Sequence, residues 1–276
     1  WSSDVCSSDL KIKMSLTKNK LIQHALGLEI DGVIGQKTTE AIKALQSKNG
    51  LVVDGIAGNK TMLYVYAIIV EKEHKELNRQ VFFNALKEQK LFSSLTQSQV
   101  DGINTILDVI SKNTITEQAY MLATIYHECA KTMQPIGEYG KGKNYVYGKW
   151  HINNGKNACY TNGSRTKVYY QSDLDHFYYG RGYVQLTWLD NYEKAKKHIG
   201  QDFVNNPELA LEPTNAAKIM LWGMTYGWFT GKKLSDYISI FDANYSEARR
   251  IINGTDKQLA IASYADKFET ALRKAK

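Results

Sequence analysis

The chain has 276 residues, 43% of them hydrophobic and 23% charged, an ordinary globular balance with room for one small and one medium domain. Its formal net charge of +7 points to an anionic partner such as nucleic acid, a membrane surface or a bacterial wall polymer. No concentrated Lys/Arg block with interleaved aromatics is present, which argues against nucleic acid. The longest apolar run, Met62 to Val70, falls far short of the ~20 residues a spanning helix needs, so no membrane partner is expected.

Residues 1–10, Trp1 to Leu10, resemble the in-frame translation of a sequencing-library adapter. Residues 1–13 are therefore set aside as an adapter-derived string and leader. Met14 is then the expected start, or the first Met inside a truncated reading frame. No basic start leads into an apolar core and a small-residue cleavage site, so no signal peptide is expected. With Cys6 removed, Cys129 and Cys159 remain, too few for a disulfide framework. They read as free thiols. A zinc site using both and a His lacks the spacing of C-x-x-C or H-E-x-x-H, and no metal or other cofactor is expected.

Residues 14–70 carry an internal repeat: Asp31-Gly32-Val33-Ile34-Gly35-Gln36-Lys37-Thr38 returns as Asp54-Gly55-Ile56-Ala57-Gly58-Asn59-Lys60-Thr61. Each copy sets an Asp-Gly turn ahead of a Gly and then a Thr at a helix start. A helix is predicted over 38–49, with Ala41, Ile42, Ala44 and Leu45 on its apolar face and Gly50 as its stop, and another over 60–70. The two short copies lack the ligand density of calcium loops. With Leu26-Gly27-Leu28 and Ala44-Leu45-Gln46, this pattern resembles the small three-helix peptidoglycan-binding domain of wall hydrolases. The charged run 71–77 reads as a solvated helix extension or short linker.

A second globular pattern follows. Val81, Phe82, Phe83, Ala85 and Leu86 suit one amphipathic helix; Val100, Ile103, Ile106, Leu107 and Ile110 suit another over 96–111. Thr114-Ile115-Thr116-Glu117 has the form of a capping box. It opens a stretch, Ala119 to Tyr126, that is apolar on nearly every side and so reads as a buried helix. His127 and Glu128 come next, with Pro135 as the expected limit of the helical run. A carboxylate there is costly unless paired or put to work. The negative end of the helix dipole disfavours its ionised form, a condition suited to a general acid. Glu138 follows on an expected loop, and two carboxylates in different environments suggest glycoside hydrolysis. Residues 139–176 are rich in Gly, Asn, Tyr and Ser and read as a long surface segment with a short hairpin, its tyrosines suited to stacking on sugars. Asp173, Asp175 and His176 read as a turn rather than a metal cluster.

The second anchor is Tyr179-Gly180-Arg181-Gly182-Tyr183-Val184-Gln185-Leu186-Thr187-Trp188-Leu189-Asp190-Asn191-Tyr192. Its glycines allow close backbone approach, and Gln185, Thr187 and Asn191 offer neutral donors and acceptors of the kind a sugar needs. Trp188, Tyr192, Trp222 and Trp228 read as core. Arg249 and Arg250 either pair with the carboxylates or form a solvated face.

This stretch, the His127-Glu128 pair with a Glu downstream, Asn205-Asn206-Pro207-Glu208-Leu209 and Arg250-Ile251-Ile252-Asn253-Gly254 together resemble the family 19 chitinases and their phage-lysozyme relatives. The resemblance spans 77–272 and departs at Tyr183 and Leu189, which fits the bacterial and phage branch. It implies a mainly α chain, with a three-helix peptidoglycan-binding module over 14–70, a linker over 71–77 and a lysozyme-like, mostly helical catalytic domain over 78–276. It implies Glu128 as general acid, Glu138 as general base and Thr187 as holder of the attacking water. Gln185, Asn191 and Asn253 would bind substrate or brace the cleft, with His127 and Tyr179 as further substrate-binding residues. The implied enzyme is an endolysin that inverts configuration as it cleaves β-1,4 bonds of peptidoglycan, acting as a monomer and reaching the wall from the host cytoplasm through a separate pore. A chitinase on the same fold and a non-catalytic wall-binding protein are the rival expectations, with a lytic transglycosylase as a third.

Overall fold

The computed structural model describes residues 14–141, 150–153, 156–161, 165–168, 178–239 and 242–276. The chain divides into two compact units, one ending at Asn78 and one covering Arg79–Ala275. Both are mainly helical.

The N-terminal unit has three helices, α1 (Met14–Leu26), α2 (Gln36–Lys48) and α3 (Asn59–His74). Leu21, Ile22, Ile42, Leu45, Val65 and Ile69 form its core. Of the predicted apolar face of α2, Ile42 and Leu45 are buried, whereas Ala44 is exposed and Gln46 takes an inward position. That glutamine explains the repeat. The Gln46 side chain donates to Asp54 Oδ1 (2.7 Å), Ile56 O (3.0 Å) and Thr61 Oγ1 (3.2 Å), and accepts from the Gly55 amide (2.9 Å). Gln23 does the same one repeat earlier, donating to Asp31 Oδ1 (2.5 Å) and Val33 O (2.9 Å) and accepting from the Gly32 amide (2.8 Å). Each Asp also accepts from the amide two residues on, Val33 or Ile56, at 2.8 Å. A buried glutamine thus saturates the turn that follows its own helix, and the repeat has a constant offset of 23 positions, Gln23 to Gln46 and Asp31 to Asp54. The charged run after Val70 starts as helix: α3 continues to His74, and Lys72 Nζ donates to the His24 and Ala25 carbonyls (3.1 and 3.0 Å) at the end of α1. A lysine there satisfies acceptors that the helix leaves open.

In the C-terminal unit, α4 (Arg79–Glu88), α5 (Gln97–Ile110) and α6 (Ile115–Glu128) are followed by the two-residue strand β1 (Ile136–Gly137). Next come β2 (Trp150–Asn153), β3 (Lys156–Thr161) and β4 (Arg165–Val168), then β5 (Arg181–Gly182), α7 (Leu189–Ile199), α8 (Pro213–Tyr226), the one-turn α9 (Tyr245–Ala248) and α10 (Gln258–Ala275). Helix α6 is buried at every position from Ile115 to Tyr126 except the half-buried Glu117 of its capping box. Its capping box is formed as expected, Thr114 accepting from the Glu117 amide and Glu117 answering to Thr114 N (3.1 Å). Helix α10 lies along α6, and α4 packs on α10. Around the end of α6, Tyr126 meets Phe92, Tyr264 and Phe268 edge-on, with centroids 5.2, 4.8 and 5.8 Å away. Tyrosine hydroxyls inside this core bond to backbone: Tyr126 to Leu91 O (2.5 Å) and Tyr120 to Ala248 O (2.6 Å).

Three expectations need correction. Helix α6 stops at Glu128, well before Pro135, because the chain turns back through left-handed residues at Ala130, Lys131 and Met133 (φ 47°, 67° and 56°). That turn lays Met133 and Gln134 on Gly102 of α5, where a Cβ would stand 2.1 Å from the Met133 carbonyl oxygen. In place of a lone hairpin, β2, β3 and β4 form a three-stranded antiparallel sheet, with Trp150 opposite Cys159 and Ala158 opposite Val168. Trp188 and Trp222 are not core: both are half-buried, and Trp222 stacks on exposed Tyr226, with ring centroids 5.5 Å apart and planes 12° apart. Asp173, Asp175 and His176 lie outside the described residues. Among the described residues no helix is long and apolar enough to cross a membrane, and no group of three His, Cys, Asp or Glu is placed to hold a metal.

Gln46→Leu leaves the buried Gly55 amide without its acceptor, and should lower the stability of the N-terminal unit by about 2–3 kcal/mol, read from its thermal transition in the full chain. The Asp31 and Asp54 carboxyls are held below the usual range, Asp31 chiefly by the Gln23 hydrogen bond and Asp54 chiefly by the Ile56 amide. Their stabilisation is complete above the unfolded value of about 3.9 and is lost as pH falls through the lower folded value. Replacing both by Asn should flatten the acid-side decline of this unit, monitored by amide exchange at Gly32 and Gly55. Gly102→Ala should cost the C-terminal unit about 2–3 kcal/mol by overpacking against Met133, measured by denaturant unfolding.

Candidate active site

Glu128 ends α6, and its Oε1 accepts from Arg249 Nη1 at 2.5 Å. The arginine side chain is 3% exposed and the glutamate side chain 21%. Arg249 sits in the turn that follows α9 and also donates from Nε to Asp256 O (3.0 Å). The two arginines left open by the sequence therefore divide: Arg249 is the buried partner of Glu128, and Arg250 pairs with Glu247 at 2.7 Å on the surface. Next to Glu128, the buried Cys129 thiol is pushed up to about 12, by burial first and by the Glu128 charge second. A thiol in that state is inert as a nucleophile.

Glu138 comes to the site by a separate route. Strand β1 pairs antiparallel with β5, Ile136 opposite Gly182 and Gly137 opposite Arg181. The next residue, Glu138, donates its amide to Gly180 O (2.7 Å) and accepts the Gly180 amide on Oε2 (2.9 Å). Gly180 has no room for a side chain: a Cβ would stand 2.7 Å from Gln185 Oε1 and 3.2 Å from Glu138 Oε2. The Glu138 carboxylate and the Gln185 amide thus close on the same backbone position. Gln185 holds a left-handed conformation (φ 53°) and donates to Ile136 O (3.0 Å) and Gly182 O (3.3 Å). Trp188 is also left-handed (φ 65°), with its amide on Tyr178 O (3.0 Å). Non-glycine residues in this region cost about 1–3 kcal/mol each and persist where their surroundings over-determine them.

The segment is anchored from beneath by Arg181. Its guanidinium is buried and donates to Glu208 Oε1 from Nε (2.9 Å) and Nη2 (2.7 Å), and to the Tyr192 hydroxyl from Nη1 (3.1 Å). It lies 3.5 Å over the Tyr179 ring, whose own hydroxyl donates to Glu208 (3.2 Å). Burial works against the Glu208 charge, yet its carboxyl is held below the usual range by the hydrogen bonds from Arg181.

The expected site residues fall into three groups. Glu138 and Gln185 meet at Gly180. Thr187 and Asn191 are half-buried neighbours, the Asn191 amide donating to Thr187 O (3.0 Å) and its Oδ1 accepting from Lys194 (3.0 Å). His127 is half-buried and precedes Glu128 on α6, and exposed Asn253 follows the Arg249 turn, its backbone amide donating to the carbonyl of Arg249 (3.0 Å). The Glu128 end of α6 reaches the 178–188 segment through Cys129 Sγ, 3.8 Å from Tyr183 O, and the Tyr183 hydroxyl donates to Met133 O (3.4 Å). Tyr179 does not suit a substrate-binding role: the side chain is committed to Arg181 and Glu208, and the residue is 6% exposed. Sequence reasoning missed Glu208 and Gly102. A lone Glu within Asn206-Pro207-Glu208-Leu209 could have been matched to Arg181, since an arginine flanked by glycines and aromatics needs an anion.

Residues 91–237, more than half of the chain, match the family model described as class I chitinase, and residues 14–63 match a peptidoglycan-binding domain. Acidic endochitinase Q of Nicotiana tabacum is 51% identical over 53 residues, 19% of this chain and 21% of the tobacco protein. The acidic 26 kDa endochitinase of Solanum lycopersicum is 43% identical over 74 residues, 25% of this chain and 28% of the tomato protein. Endochitinase 1 of Theobroma cacao is 48% identical over 46 residues, 16% of this chain and 14% of the cacao protein. The chain spans less than a third of the length of each of these relatives. By the family match over its C-terminal unit, the chain belongs to the class I chitinases, glycoside hydrolase family 19.

Proposed function

We propose that this protein is a wall-lysing glycoside hydrolase of the endolysin type: the C-terminal unit cleaves β-1,4 bonds between the amino sugars of peptidoglycan with inversion, and the N-terminal unit holds it on the polymer. The carrying observation is that two carboxylates on separate elements are fixed by separate partners, Glu128 by Arg249 and Glu138 by the Gly180 amide, beside one segment that carries Gln185, Thr187 and Asn191. Inverting glycosidases need such a pair, with about 6.5–9.5 Å between the carboxyls to admit a water.

In this reading Glu128 is the general acid. Arg249 occupies its Oε1, so Oε2 delivers the proton to the leaving glycosidic oxygen. Glu138 is the general base and takes a proton from the attacking water, which the Thr187 hydroxyl helps to hold. Gln185, Asn191, Asn253 and His127 are polar groups of the sugar site. The match of residues 14–63 to a peptidoglycan-binding domain supports peptidoglycan as the polymer. Tethering raises the local concentration of glycosidic bonds with no new contact at the reacting centre. A second reading, cleavage of chitin, is favoured by the names of the relatives, which are endochitinases.

Incubating the full chain with purified sacculi and, separately, with chitin oligomers decides between the polymers, and mass spectrometry of the products reports the bond cut. Release of reducing-end fragments from sacculi is expected. Chitin as the better substrate would transfer the activity to the second reading, and anhydro-ended products would replace hydrolysis by a transglycosylase reaction. Glu128→Gln and Glu138→Gln should each lower kcat by roughly a hundredfold or more while sacculus binding persists. Full lysis by Glu128→Gln would remove the acid assignment.

A further inference from the structure

Resting on the peptidoglycan reading of the N-terminal unit, we infer that its second repeat is the ligand site, and that it takes the peptide stems of the polymer, through a carboxylate and small alkyl side chains, rather than the sugars. A surface cavity of about 390 Å³ opens at this repeat, with Leu51, Val52, Asp54, Ile56, Lys60 and Thr61 in its wall. That volume lies in the range of small-ligand sites. None of its lining residues is aromatic, so it lacks the ring faces on which the CH face of a sugar packs. It offers an ammonium, Lys60, beside alkyl surface from Val52 and Ile56, which are 79% and 69% exposed.

The 23-position offset makes the two repeats their own control. Both keep the lysine (Lys37, Lys60) and the turn aspartate (Asp31, Asp54), and both aspartates use Oδ1 on the turn, so neither feature separates the repeats. The difference is elsewhere. Among the positions that differ, Glu29 of the first repeat is Val52 in the second, and Glu40 is Leu63. All four residues are exposed, so the exchange serves no core. Val52 lines the cavity with Lys60, and Leu63 follows Lys60 by three positions on α3, so the second repeat has alkyl groups where the first has carboxylates. An anionic ligand is repelled at the first repeat and attracted at the second, and alkyl side chains find contact only at the second. The stems of peptidoglycan carry free carboxylates on short peptides rich in methyl side chains, whereas its amino-sugar backbone is largely hydroxyl and acetamido.

The test uses the full chain carrying Glu128→Gln, so that the polymer survives. Binding is measured to intact sacculi, to sacculi stripped of their stems by an amidase, and to intact sacculi in the presence of free stem pentapeptide. Expected is a loss of roughly tenfold or more in affinity on stripped sacculi, competition by the free peptide, and a similar loss for Lys60→Glu and Val52→Glu but not for Lys37→Glu. Unchanged melting of the N-terminal unit shows that these surface variants stay folded. Equal binding to stripped and intact sacculi, or equal damage from Lys37→Glu and Lys60→Glu, overturns the inference and leaves the peptidoglycan reading standing. Absence of binding to intact sacculi overturns both.

Discussion

A helix buried on every face can end in a carboxylate only if something inside the protein answers the charge. In the C-terminal unit that answer is Arg249, held at 3% side-chain exposure and in contact with Glu128 across more than a hundred residues of sequence. Removing one member of such a pair leaves the other buried and unmatched, at a cost of about 3–5 kcal/mol. The contact therefore joins the packing of α6 to the turn after α9, and it fixes one oxygen of the carboxylate that the proposed chemistry uses. Stability and the proposed chemistry meet in one ion pair.

The second constraint is close backbone approach. Around Gly102 the loop after α6 lies too near α5 for any side chain, and around Gly180 the same holds for Glu138 and Gln185. Both contacts act on the loop that carries Glu138, one at its start and one at its end. The loop is held between a helix and the β1–β5 pairing, and its carboxylate accepts a backbone hydrogen bond from Gly180. Arg181 and Glu208 complete the arrangement from below, a buried cation stacked on Tyr179 and satisfied on several sides. The motif around Gly180 thus mixes residues that face the site with residues that only hold it. Sequence alone treats them alike and groups Tyr179 with the ligand residues, whereas its side chain is committed to Arg181 and Glu208.

The N-terminal unit shows a division of labour inside a repeat. What the repeats share (a buried glutamine, the Asp-Gly turn, a threonine at the helix start) builds the turn: the glutamine bonds to the Asp carboxylate and the Gly amide recur in both copies, and the second adds Gln46 to Thr61. Some of what they do not share lies on the surface, as at Glu29 and Val52 and at Glu40 and Leu63. Duplicated folds can diverge at such positions without loss of stability, since surface exchanges away from caps and cores cost little.

Local signals in the sequence determined a good deal. The capping box at Thr114, the apolar run to Tyr126, the doubled Asp-Gly turn and the amphipathic patterns from Phe82 to Ile110 were all legible, because capping, burial and turn chemistry act over a few residues. The carboxylates could be named from the motifs, but not what holds them. The sequence could not choose between Arg249 and Arg250, could not pair Arg181 with Glu208, and gave no sign that Gly102 lies against Met133. Each of those is a contact between segments far apart in the chain, and its geometry exists only once the helices have packed. Tertiary structure alone decided them, for the physical reason that a buried charge or a missing Cβ has meaning only through the group that comes to lie against it.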